Sequence, residues 1–520
     1  MIRPVLFLFI VFCLLIVPAS PSVAQPADAP CGVITGFEFP VPGISTERTD
    51  FGIFRARYDG LHTGIDVAFE QLGSPVLAAA DGLVTYSDPA GWDTEKGVVV
   101  IQHTLPDGSL VNTLYGHMEE LNGYYFPLLN TCIEQGAVVG AVGFPSLGRP
   151  HLHYEVRTRY RYSGGPGYTD ENPLTLGWYH PVDFTYLAQL LVQPGYRQHF
   201  TLTESALVPP LRLSDGNYVI AHSAHLEGLD ATGEVLWRFD TLGSVTSLLE
   251  LPDGRVVVVN SADQVLILDG GSFSALWPAP KKLISAPFWM DDRLLFMTED
   301  FTLMALTLDG YTLWETASLG AHTVSWARSG DRFAVATENN ALWVLDAGGS
   351  QYFHATYADP VVAVDGSDGD FYILTGGVVS RLDRAGTLTP VVDTGQSFTY
   401  DADLLAQGDR LYVYSGEGRS LYAYDSTGAL LWIAFMPGSY RNPPLLGMGS
   451  GQLLYVLSTD GQLLVFDDDD GRLVAQRTLY TGGVDGSAAA RWLLVEPDDT
   501  VHFSSGFLSV VTLDGLALQP

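Results

Sequence analysis

Four of the 12 histidines in this 520-residue chain fall, with one aspartate, into three short runs: Leu61-His62-Thr63-Gly64-Ile65-Asp66, Tyr115-Gly116-His117 and His151-Leu152-His153-Tyr154-Glu155. In an extended strand, residues two apart face the same side. His151 and His153 therefore project together, with Cα atoms about 6–7 Å apart, while Leu152 turns to a core. That spacing lets one imidazole bind a metal while the other stands beside a reacting water. His62 and Asp66 would be about 13 Å apart in a straight strand. The chain must bend between them to share an ion, and Gly64 is the residue that allows it.

Brought together, His62, Asp66 and His153 offer two nitrogens and a carboxylate oxygen and leave a fourth tetrahedral position for water. Zinc accepts that mixed shell, and three protein ligands with an open position mark a catalytic site, because a structural zinc is closed by four. The ion lowers the pKa of its water and polarises a carbonyl. His117 and His151 remain as imidazoles to move the proton and to hydrogen-bond a developing oxyanion. The spacing leaves open which does which. His103 ends a strand and reads as structural, and His180 and His199 have no suggestive setting.

The elements that must position these residues are short, partly alternating strands between Phe51 and Phe184: Gly82 to Tyr86, Gly97 to His103, Leu110 to His117, Ala137 to Ala141 and His151 to Arg157. Asp81-Gly82, Asp107-Gly108 and Gln135-Gly136 mark turns between them. With no long helix between strands, a mainly antiparallel sheet is expected over 51–184. Residues 25–50 read as an irregular lead-in and 185–205 as a connecting segment.

Residues 60–157 resemble the zinc endopeptidases of the lysostaphin/LytM type, which cut peptides of bacterial peptidoglycan. The H-x-x-x-D of that family is matched by His62 and Asp66, and its H-x-H by His151 and His153. The resemblance implies His153 as third metal ligand, and His151 and His117 as catalytic histidines. The strand-turn-strand Gly73 to Val84 and the approach Ile133 to Gly143 also fit. Two departures bear on the substrate groove: Glu119 to Cys132 is enlarged, and Phe144 to Arg149 replaces a more usual Gly/Ser-rich lead into H-x-H.

From Ala206 to the end a repeat appears, with landmark acids at Asp230, Asp269, Asp309, Asp346, Asp383, Asp425, Asp467 and Asp514. A spacing near forty residues suits four short strands, and such units bury both faces only by stacking radially. An all-β architecture with a propeller over 206–520 follows, eight blades favoured over seven. Trp237, Trp277, Trp314 and Trp432 recur at one place in the unit and are expected to pack blade on blade. The run Asp467 to Asp470 is expected as a solvated turn. Runs such as Leu229 to Phe239 resemble propellers of the pyrroloquinoline-quinone type, a likeness of packing and turns that does not imply the quinone.

Composition narrows the partners. With 26 Lys+Arg against 59 Asp+Glu and a net charge of -33, the chain lacks the basic footprint that nucleic acid or anionic lipid requires. The opening 24 residues read as a secretory signal cut after Ala24, with an uncleaved anchor as the alternative. Export to the cell envelope or beyond is expected, and no integral membrane partner is required. Cys31 and Cys132 would then form a disulfide or stand as two thiols. The reading with most support is a zinc-dependent endopeptidase acting on peptidoglycan peptide, with a propeller that binds wall glycan or protein. The alternatives are a non-catalytic scaffold or hydrolase activator and, third, a secreted quinoprotein.

Overall fold

The computed structural model describes residues 30–42, 50–146, 148–202, 204, 206–241, 243–398, 401–436, 443–458, 461–478, 491–505 and 509–518. The expected signal at 1–24 lies outside them. Among the described residues no helix is long and apolar enough to cross a membrane.

The N-terminal domain is built on an antiparallel sheet in which Trp178–Tyr179, Leu152–Arg157, Leu110–Glu119, Gly97–Thr104, Gly82–Asp88 and Cys132–Ile133 lie side by side. Ile65–Val67 pairs with the free stretch of Leu152–Arg157. Pro75–Leu77 and Val138–Val142 form a second ribbon against the end of Leu110–Glu119. The alternation read from the sequence holds. Leu152, Tyr154 and Val156 point into the main core with Val99, Ile101 and Tyr115. His153, Glu155 and Arg157, one residue out of phase, occupy the opposite face of the strand.

Residues 30–42 are irregular but packed: Ile34, Phe37 and Val41 are buried in the domain core, and Phe37 packs edge-on against His103 and Phe184. The connecting segment 185–205 contains the end of the helix Pro181–Leu191 and the strand Tyr196–Thr201. That strand pairs with Ser509–Asp514 and completes the last blade. It carries no landmark acid, so the repeat pattern alone does not reveal it.

Among the described residues the propeller comprises eight four-stranded antiparallel sheets. The eighth is composite, made of Tyr196–Thr201 from the start of the ring and three strands from its end, so the ring is closed by backbone hydrogen bonds. The tryptophans do what their recurrence suggests. The indole nitrogens of Trp277, Trp314 and Trp432 donate to Leu308, Ala347 and Asp468 carbonyls in the following blade. The turn acids also behave as expected: Asp230, Asp383 and Asp425 each accept two backbone N–H groups of their own turn. Asp468 departs from the expected solvated run, since it is buried and bonded by Tyr412.

The helix Pro181–Leu191 joins the two domains. It starts with Pro at its first position, where the missing N–H costs nothing. Val182, Phe184, Leu187 and Leu191 are buried in one continuous core with Leu453, Tyr455 and Leu513 of the propeller. Each such side chain contributes roughly 1.5–3 kcal/mol on full burial, so the junction is a packed interface and not a tether.

Candidate metal centre

Asp66, His153 and Gly116 stand in one row across three neighbouring strands. That register turns three distant runs of sequence into one site. His62 reaches the same place from the short strand Gly60–His62, which belongs to a separate small sheet. The expected bend between His62 and Asp66 falls at Thr63-Gly64. Gly64 is needed there for its missing side chain: a Cβ would sit 2.5 Å from Tyr154 O and 2.9 Å from His153 Nε2.

The three expected ligands converge. His62 Nε2 lies 2.9 Å from His153 Nδ1 and 3.4 Å from Asp66 Oδ1, and His153 Nδ1 is 3.3 Å from that same oxygen. A tetrahedral zinc with bonds of about 2.0–2.1 Å separates its ligands by about 3.3 Å, so the triangle fits the ion. Two ring nitrogens 2.9 Å apart need a shared proton or a shared cation between them.

The outward nitrogens are tied down, which fixes each tautomer with its lone pair facing inward. His62 Nδ1 lies 3.2 Å from the Asp50 carbonyl and 3.3 Å from Asp50 Oδ2, and the same carboxylate accepts the Asp66 N–H. His153 Nε2 lies 3.0 Å from Glu155 Oε1. Glu155 is fully buried and also accepts from Thr63, Arg157 and Trp178. Burial pushes its carboxyl upward, but Arg157 and the hydrogen bonds from His153 and Thr63 prevail and bring it down to about 2. Burial likewise opposes charge on His62, yet the partnership with Asp50 and Asp66 raises it to about 9. Asp66 is held well below the usual carboxylate range, its burial outweighed by His153 and His62.

His117 and His151 flank this group with ring centroids 4.6 Å apart. His117 Nδ1 meets the Glu95 carbonyl at 2.8 Å, and His151 Nδ1 meets the Arg149 carbonyl at 2.7 Å. A carbonyl only accepts, so both Nδ1 atoms carry the hydrogen and both Nε2 atoms keep a lone pair. His151 Nε2 lies 3.6 Å from Asp66 Oδ1. Burial and the neighbouring His153 and His151 lower His117 to about 3. His117 is also held at φ +57°. It sits in a β-bulge where Gly116 and His117 face the single residue Val98, and the kink redirects its ring.

Asp50, Glu95, Trp92 and Glu155 were not singled out by sequence reasoning. Asp50 and Trp92 lie in segments without periodicity, and Glu155 in a strand reads as an ordinary alternating polar residue. Only His-x-His-x-Glu alternation hinted at it. His103 is structural, bonded to the Asp81 carbonyl and Thr113 Oγ1 at 2.8 Å each.

An open cleft of about 200 Å³ reaches the group, lined by Tyr58, Trp92, His117, His153 and Tyr168. Tyr58 stacks on Tyr168 at 4.2 Å, and Trp92 packs edge-on against His117 and His153. Gly116 makes room for that indole, since a Cβ there would meet Trp92 Cζ3 at 2.3 Å. The wall opposite the metal ligands is thus aromatic.

Comparison with known proteins agrees with both halves. Residues 60–164 match Peptidase family M23, and 222–372 and 375–519 match the family described as outer membrane protein assembly factor BamB. No curated protein matches the chain. Among solved structures, BamB from Moraxella catarrhalis aligns at 15% identity over 62% of this chain and 100% of its own, with a TM-score of 0.49. The computationally designed Ika8 protein aligns at 14% identity over 61% and 100%, with a TM-score of 0.48. Matched over more than half its length, the chain belongs to the BamB family of propellers, and it carries a Peptidase family M23 domain in front of the ring.

Proposed function

We propose that the protein is a zinc-dependent endopeptidase that hydrolyses peptide bonds of bacterial peptidoglycan in the cell envelope or outside the cell, with the propeller as a binding or positioning module. The observation that carries this reading is the triangle of His62 Nε2, Asp66 Oδ1 and His153 Nδ1, all within 3.4 Å of one another, with two unligated imidazoles beside it. His62, Asp66 and His153 would hold the ion. Zinc in such a shell supplies a Lewis acid for the scissile carbonyl and brings the pKa of water toward neutrality.

The chain's own residues supply the rest. Asp50 and Glu155 orient the ligand imidazoles and keep their lone pairs inward. One of His117 and His151 accepts at Nε2 the proton of the attacking water and returns it to the leaving amine. The other, in its protonated form, donates from Nε2 toward the oxygen that gains charge. Trp92, Tyr58 and Tyr168 exclude water from one side and offer flat faces to an extended peptide. Peptidoglycan as substrate is supported by the resemblance to lysostaphin/LytM-type enzymes, and the acidic surface is consistent with a partner other than nucleic acid.

The test is mass spectrometry of fragments released from purified cell walls by the protein, by the protein with a chelator, and by His153→Ala. New peptide termini that appear only with the metal-loaded, unmutated protein support the reading. Wall binding without cleavage in all three samples would replace it with that of a scaffold.

A further inference from the structure

A second group of metal-binding side chains lies in the first blade, away from the peptidase domain. His222, His225 and Glu227 each place one ligand atom within 4.8 Å of the other two. Glu227 Oε2 is 3.3 Å from His222 Nε2, and Glu227 Oε1 is 3.3 Å from His225 Nε2. The two rings stack with centroids 4.8 Å apart. His222 is 98% buried, yet among the described residues neither of its ring nitrogens makes a well-aligned hydrogen bond, and its Nε2 has only the Glu227 carboxylate at 3.3 Å. A buried imidazole with both nitrogens unmatched is costly unless something else takes a lone pair.

The repeat itself shows that this group is an addition to the blade. In the first blade the strands Tyr218–Ala221 and His225–Leu229 are joined by a turn whose flanking residues are His222 and His225, bonded from His222 N–H to the His225 carbonyl. The same places are filled in the second blade by Asn260 and Gln264 and in the third by Thr298 and Thr302. Those pairs satisfy themselves: Asn260 Nδ2 donates to Gln264 Oε1 at 2.9 Å, and Thr298 and Thr302 hydroxyls meet at 2.7 Å. Two residues further on, where the second and third blades bury Leu266 and Met304, the first buries Glu227. Arg238 is mostly exposed and pairs with Glu227 Oε1 at 2.6 Å, the oxygen that His225 Nε2 also meets at 3.3 Å, so it is the His222 ring that is left without an aligned partner. Folding a blade requires none of the three residues. All three changes from the repeat create metal donors on one spot.

We propose that His222, His225 and Glu227 hold a second divalent transition-metal ion. Two imidazoles and a carboxylate form a donor set that suits zinc, and a fourth position stays open to water or a ligand. The turn sits where the chain enters and leaves the blade: Leu207 N–H bonds to the Ala221 carbonyl, and Thr241 N–H to the Ala224 carbonyl. The ion would clasp the blade next to the composite one that closes the ring. This site stands independently of the peptidase reading.

The test uses the full chain, stripped with chelator and titrated with Zn²⁺ alone, with ions counted by native mass spectrometry and unfolding followed by heat. The unmutated chain is expected to take two ions. H222N/H225Q, which installs the Asn/Gln pair of the second blade, is expected to fold and take one. Glu227→Leu, which installs the residue of the second blade, gives the same loss by a separate route. H62A/H153A is expected to take one and to keep the zinc-dependent rise in propeller unfolding temperature. An unmutated chain that takes one ion, retained in both blade variants, overturns the proposal. A single ion lost only in the blade variants would overturn the peptidase zinc instead, and no ion at all would overturn both.

Discussion

His153 and Asp66 are direct cross-strand partners, and their ligand atoms lie 3.3 Å apart although 87 residues separate them in the chain. Each is useless to a metal without the other strand in register. A slip of one residue would turn His153 to the core and Leu152 to the cleft.

The buried carboxylate behind His153 gives the first expectation. Glu155→Gln should weaken zinc binding 10–100-fold, as loss of a hydrogen-bond partner to a ligating histidine does. It should also destabilise the domain by about 3–5 kcal/mol, because Arg157 is left buried without its counter-charge. Chelator competition reads the first effect and denaturant unfolding the second.

The two flanking histidines separate chemistry from metal binding. His117→Ala and His151→Ala should each lower the hydrolysis rate about 10²–10⁴-fold while leaving one zinc in the peptidase domain. Rates on purified walls, set beside elemental analysis of the same samples, check this. Loss of zinc in either variant would make that residue a ligand.

Acid–base linkage sets a third expectation for the chelated protein. His62 rises from its ordinary value of 6.5 to about 9 on folding. A raised pKa stabilises the fold fully below pH 6.5 and loses that contribution as pH climbs through 9. The loss is on the order of 3 kcal/mol. Metal-free peptidase domain should therefore unfold more easily at pH 9.5 than at pH 6. Zinc-loaded protein should lack this dependence, because the ion displaces the proton and releases it on binding. Calorimetry in buffers of different ionisation heat measures that release.

Much of this site was legible because its donors come as close pairs. H-x-x-x-D and H-x-H fix local geometry, and the repeat of Asp and Trp fixes the propeller. Asp50 and Trp92 were not legible, since only tertiary topology carries them to the ligands. His117 was recognised as a residue but not as a strained one: nothing in Tyr115-Gly116-His117 says that the histidine, not the glycine, takes the positive φ. The closing strand Tyr196–Thr201 was missed for a similar reason, because its partner lies at the far end of the chain.

The disulfide supplies a fourth expectation. Cys31 and Cys132 are bonded across 101 residues, and the loop they close contains His62, Asp66 and His117. Removing such a crosslink typically costs 2–5 kcal/mol, about the scale expected here. Cys132→Ser should lower the unfolding temperature of the peptidase domain and leave the metal ligands intact. Thermal unfolding with and without zinc distinguishes the two effects.

Anomalous diffraction at the zinc edge from crystals of the full chain tests the central claim most directly. One ion should appear within about 2.0–2.2 Å of His62 Nε2, Asp66 Oδ1 and His153 Nδ1, with a non-protein fourth ligand facing His117 and His151. Crystals grown with zinc in which these three side chains bind no ion, or bind one closed by a fourth protein ligand, would contradict it.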